Sequence, residues 1–132
     1  MKTTILIALI LGAGLALISC KKDKEDETNA TASINITEPG LNDTIAAGEE
    51  LHVEGVISGT GELHGYVITL RNAADQAVFL TADYDSHATS YNFHEHWVNT
   101  VTDTTIVTVK VDVTEDHDGN HEVKELNVVC LP

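Results

Sequence analysis

The chain has 132 residues, 42% of them hydrophobic but only 5% aromatic, and its 21 acidic against 7 basic side chains give a formal net charge of −14. That length bounds it to one domain of ordinary size. That charge repels phosphate and argues against nucleic-acid binding, which needs clustered lysine and arginine.

The first element is an apolar leader. Lys2 supplies a positive start, Ile5 to Ile18 is apolar or small, and Ser19-Cys20 closes the run. It is shorter than the about 20 apolar residues of a spanning helix, and its layout fits a secretory signal. Leu17-Ile18-Ser19-Cys20 resembles the lipobox of bacterial lipoproteins. The resemblance implies that residues 1–19 are a lipoprotein signal peptide. It also implies that the sulfur of Cys20 takes a diacylglyceryl group, and that its new amino end is acylated. Two or more acyl chains hold a protein stably on a bilayer, where one does not.

Residues 20–32 read as the lipidated cysteine and an acidic flexible tether. Lys21-Lys22-Asp23-Lys24-Glu25-Asp26-Glu27 stays solvated and cannot bury a core. Lysine follows the anchor where the enterobacterial inner-membrane retention pattern has aspartate. The expected location is therefore the cell envelope, with the outer membrane favoured. The lysine-then-acidic run also resembles surface-export signals of some gut and oral bacterial lipoproteins, so surface exposure is a further option.

From residue 33 to 132 the pattern has period two and frequent turn residues. Strands are expected at 32–37, 43–46, 50–58, 63–71, 77–84, 90–98, 104–114 and 122–130. Pro39-Gly40, Gly59-Thr60-Gly61, Asn72 to Gln76 and Asp118-Gly119 supply turns between them. Leu51, Val53 and Ile57 share a face, as do Tyr66, Ile68 and Leu70, and Val107, Val109, Val111 and Val113. The fold class expected is all-β, an antiparallel sandwich of seven to eight strands. Cys130, in an apolar final strand, is expected as a buried thiol with no partner for a disulfide.

The opening Ile-Thr-Glu-Pro-Gly-Leu-Asn-Asp-Thr-Ile-Ala-Ala-Gly-Glu resembles the first strands of bacterial immunoglobulin-like domains. Val-Asp-Val-Thr-Glu-Asp-His-Asp-Gly-Asn-His-Glu resembles the hairpin joining their last two strands. Overall the chain is similar to small bacterial lipoproteins carrying one such domain. That resemblance implies a single immunoglobulin-like sandwich, and no function, because the fold hosts many.

Histidine is the residue type that carries chemistry here. His94 and His96 lie two apart on a strand and project together, opposite Tyr91, Phe93 and Trp97. Neutral imidazole suits zinc, copper or nickel, and a site needs further ligands from another strand. His64, His87, Glu62 and Asp85 are the candidates, and zinc or copper is the cofactor such a site would take. An outward strand face can equally hold histidine for no special reason. Asp116, Asp118 and Asn120 resemble a calcium loop only in part, since Glu122 stands too close to serve as its late bidentate ligand. A hairpin turn accounts for them better. Tyr66, Tyr91, Phe93 and Trp97 offer a sugar platform, with Trp97 expected instead in the core.

No nucleophile elbow or phosphate loop is present, so no enzyme activity is expected. The reading is a lipid-anchored envelope module with a binding or structural role toward a surface protein or glycan. The alternative is an envelope metal-binding protein built on the His-x-His pair.

Overall fold

A computed structural model describes residues 29–132. The expected signal peptide (1–19), Cys20 and residues 21–28 of the expected tether (20–32) lie outside the described residues. Among the described residues there are eight strands: β1 (Ala32–Glu38), β2 (Thr44–Ile45), β3 (Glu50–Leu63), β4 (Tyr66–Asn72), β5 (Val78–Tyr84), β6 (Ala88–Val98), β7 (Thr105–Thr114) and β8 (His121–Cys130). They form a three-stranded sheet, β1-β3-β6, and a five-stranded sheet, β2-β8-β7-β4-β5. Every pairing is antiparallel except β2 with β8, which is parallel. The first strand is thus split between sheets, and β4–β5 and β7–β8 are hairpins within one sheet. This is an immunoglobulin-like order in which β5 pairs with β4 at the edge of the larger sheet and the smaller sheet has three strands.

Alternation explains the core. Leu51, Val53, Ile57 and Leu63 of β3 are fully buried, and they face Ile68 and Leu70 of β4, Val107 to Val113 of β7, and Val128 and Cys130 of β8. Each such side chain contributes about 1.5–3 kcal/mol by leaving water. Gly55 occupies the one inward position of β3 between Val53 and Ile57. A Cβ there would stand 2.5 Å from the Phe93 ring. Glycine is what lets Phe93, its register partner on β6, lie over the strand. Trp97 is half-buried at the rim of the core and stacks on Phe79 with ring centroids 4.9 Å apart. Cys130 is a free, buried thiol whose pKa burial pushes up. No helix among the described residues is long and apolar enough to cross a membrane.

Two local expectations change. Gly59-Thr60-Gly61 does not turn the chain. It continues β3, whose pairing with β6 shifts between Ser58 and Leu63. Thr60 N–H donates to Thr31 O at 3.0 Å, which keeps this stretch extended beside the incoming chain. The reversal comes at His64-Gly65, where Gly65 takes φ 101° and a Cβ would meet the Tyr84 carbonyl oxygen. The β7–β8 turn is also longer than a two-residue Asp-Gly turn. Residues 115–120 form the loop, closed by Glu115 N–H donating to Asn120 O at 2.8 Å. Asp116 organises it: Oδ1 accepts from the N–H groups of Asp118 and Asn120, and Oδ2 from the Asn120 side chain. Both oxygens of Asp116 therefore serve the turn, as the hairpin reading requires.

Residues 30–32, expected in the tether, pack against the sandwich. Ala30 is already buried, Thr31 N–H donates to Thr60 Oγ1 at 2.9 Å, and Ala32 N–H donates to Glu115 Oε1.

Candidate metal sites

All seven histidines fall within the described residues, and six of them gather in two clusters. The seventh, His121, pairs through Nδ1 with Asp112 Oδ1 at 2.8 Å.

The first cluster follows from strand geometry. With Leu51 and Val53 buried, Glu50, His52 and Glu54 project from the outer face of β3. With Phe93 buried, His94 and His96 project from the same outer face on β6. The register sets Glu54 opposite His94 and His52 opposite His96. Side chains opposite one another in an antiparallel pair lie within reach. The His52 ring nonetheless leans diagonally toward His94: their centroids are 5.5 Å apart, and His52 Nδ1 stands 3.2 Å from His94 Nε2. His94 Nε2 is also 3.3 Å from Glu54 Oε1, and His52 Nε2 is 3.4 Å from Glu50 Oε2.

One tautomer assignment satisfies all of these contacts. His94 carries its proton on Nε2, between His52 Nδ1 and Glu54. His52 carries its own on Nε2, toward Glu50. His52, Glu54 and His94 can hold a metal ion through ligand atoms all within 4.8 Å of one another. His96 stands apart, its ring 6.2 Å from His94 and 6.3 Å from His52.

The second cluster lies at the other end of β3, on the order of 25–30 Å away along the strand. Glu62 and His64 come from the end of β3, and His87 from just before β6. Their ligand atoms also lie within 4.8 Å of one another. His87 Nδ1 is 3.3 Å from Glu62 Oε1, and the His64 and His87 rings meet edge to face at 4.5 Å. His117, from the β7–β8 loop, completes the group with its ring 4.0 Å from His64 and 6.2 Å from His87.

The backbone around this cluster is pinned. His64 N–H donates to Thr114 O at 2.8 Å, and Thr114 N–H donates to Gly65 O at 3.0 Å. The buried Tyr91 hydroxyl accepts from Gly65 N–H at 3.1 Å and points its proton at Ser86 O, 2.6 Å away, with Leu63 O at 3.1 Å.

The histidines singled out by sequence therefore divide. His94 belongs to the first cluster with His96 beside it, while His64 and His87 belong to the second. Glu62 joins the second cluster and Asp85 joins neither. Sequence reasoning passed over His52, Glu54 and His117. The signal for His52 was present, because alternation through Leu51 and Val53 already turns it outward. His117 gave no such signal, since only the loop's path brings it to His64.

No protein-family model matches the chain, and no curated protein does. Among solved structures, murine CRIg is similar over 76% of this chain and 97% of that one, with a TM-score of 0.43 and 11% identity.

Proposed function

We propose that this chain is a transition-metal-binding immunoglobulin-like module that takes zinc or copper at His52, Glu54 and His94. The observation that carries this reading is the surroundings of His94 Nε2, with His52 Nδ1 at 3.2 Å and Glu54 Oε1 at 3.3 Å. Tetrahedral zinc with bonds near 2.0–2.1 Å needs ligand atoms about 3.3 Å apart. With the His94 proton carried on Nδ1 instead, a cation placed between these groups would meet two neutral imidazole nitrogens and a carboxylate oxygen, a set suited to zinc or copper. Glu50 would then accept from the remote N–H of His52, the outer-shell carboxylate that commonly orients a ligating histidine. The strands supply rigidity, because β3 and β6 are paired in register on both sides of the site.

Isothermal titration of the full chain in detergent with zinc and with copper tests this. The expected result is saturable binding that loses one bound ion per chain in His52→Ala/His94→Ala. An unchanged number of bound ions in that variant would rule the site out.

The leader supports a second, compatible reading, in which lipid on Cys20 holds the module on a bacterial envelope membrane. Leu17-Ile18-Ser19-Cys20 is its support. Mass spectrometry of the exported protein is expected to find acyl groups at residue 20, and an unmodified cysteine would overturn it.

A further inference from the structure

We propose that Glu62, His64, His87 and His117 form a second zinc site, separate from the first, that ties the two sheets together at one end of the sandwich. This inference does not rest on the site at His52 and His94.

The argument starts from connectivity. The first cluster draws every ligand from β3 and β6, two strands of one sheet. A metal there joins groups whose spacing the ladder already sets. The second cluster draws on three parts of the chain: the end of β3, the connection from β5 to β6, and the β7–β8 loop. β3 and β6 belong to the smaller sheet, while β5, β7 and β8 belong to the larger one. One ion held by these side chains bridges both sheets and two loops.

The donor set is right for zinc. Three neutral imidazoles and one carboxylate make a four-coordinate N₃O site. Three of the four already lie close enough for their ligand atoms to stand within 4.8 Å of one another. The fourth, His117, packs its ring 4.0 Å from that of His64. The His64 ring lies between the other two, 4.5 Å from that of His87 and 4.0 Å from that of His117.

The support beneath the ligands is built in the same way. Tyr91 links Gly65, Leu63 and Ser86, the backbone on either side of His64 and directly before His87. The paired bonds between His64-Gly65 and Thr114 fix the distance from the end of β3 to the stem of the loop that carries His117. Asp116 holds the turn that contains His117. The ligands therefore sit on anchored backbone, and zinc has only the outer loop and the side chains left to order.

The test uses the full chain in detergent with zinc as the probe, in the His52→Ala/His94→Ala background so that the first site is removed. That variant is expected to bind one zinc per chain. Adding His117→Ala is expected to weaken this binding by at least about tenfold, with unchanged circular dichroism. Hydrogen exchange at residues 115–120 is expected to slow with zinc in the background variant, and not after His117→Ala. His64→Gln/His87→Gln, with His52 and His94 intact, should abolish the loop protection while leaving zinc bound at the first site. Loss of all zinc binding in the His52→Ala/His94→Ala variant would overturn the second site and leave the first standing. Zinc affinity and loop protection that ignore His117→Ala would also overturn it. Two zinc ions lost together in His64→Gln/His87→Gln would show that the sites are not separate.

Discussion

The Tyr84 hydroxyl donates to the Glu95 carboxylate, joining β5 at the edge of one sheet to β6 at the edge of the other. Glu95 is an inward-facing residue of β6, paired with the buried Val53, so its charge sits at the open side of the sandwich and not on the histidine face. The hydrogen bond to Glu95, then burial and the repulsion of a phenolate by that carboxylate, push Tyr84 from 10.0 up to about 12. A raised pKa means that this contact stabilises the fold fully below about pH 10, and that its contribution is lost as pH rises through about 12. Titration of phenolate absorbance is expected to show a late component that disappears in Tyr84→Phe and moves down in Glu95→Gln. An unchanged late component in Tyr84→Phe would refute the assignment.

Asp112 gives a prediction of opposite sign. Burial alone would raise its pKa, but Lys110 Nζ at 2.8 Å and His121 Nδ1 at 2.8 Å outweigh that and hold it below its ordinary value. A lowered carboxylate stabilises the fold above its unfolded pKa, and that stability is lost as pH falls through the folded value. The group is partly exposed, so Asp112→Asn is expected to cost under about 1 kcal/mol at neutral pH. Urea unfolding at neutral and acid pH checks this, and the gap between variant and parent should close in acid.

Asn99 holds the end of the sandwich away from the second histidine cluster. It is 2% exposed, and its side-chain amide faces the carbonyls of Ile45, Ala46 and Leu131 at 2.9–3.1 Å. Its Oδ1 accepts from Val101 N–H at 3.1 Å. Asn99→Ala removes these four hydrogen bonds from a partly buried cap, at about 0.5–1.5 kcal/mol for each, while the Ile45 and Ala46 carbonyls keep backbone donors in Leu131 and Glu49. An expected loss of roughly 2–3 kcal/mol lowers the melting temperature by roughly 10–20 °C in a domain of this size. A shift of less than about 4 °C in calorimetry would contradict the role assigned to it.

The first metal site predicts a ranking. His94→Ala removes a nitrogen that touches both other ligands, and should cost far more zinc affinity than His96→Ala, whose ring stands about 6 Å away. Glu50→Gln leaves the ligands in place but weakens the orientation of His52, an effect on the order of tenfold. Titrations of the three variants under one condition would expose any other order.

Much of the sandwich was readable in the chain because its strands alternate cleanly. The four valines from Val107 to Val113 are all fully buried, as their spacing required. His94 and His96 turn outward for the same reason. What alternation cannot carry is register, since pairing depends on which strand lies beside which. His52 meets His94 only because β3 lies against β6 with Glu54 opposite His94. Gly59 and Gly61 read as a turn because glycine permits one, yet here they let a long strand keep going beside Thr31. Glu62, His64 and His87 were named from sequence as partners for His94 and His96, but their meeting with one another and with His117 was not legible, because it depends on three separate chain reversals.

The residues just before β1 enter the sandwich beside Thr60 and Glu115, close to where His64, His87 and His117 meet. β3 and β6 run from that pole to the opposite one, where Asn99 closes the far cap. The three-histidine pole is therefore the one at which the residues before β1 join the sandwich. The groove between Phe79, Val101 and Ile106 opens at the far pole, leaving the two ends of one sandwich with opposite chemistry, imidazole at one and an apolar cleft at the other.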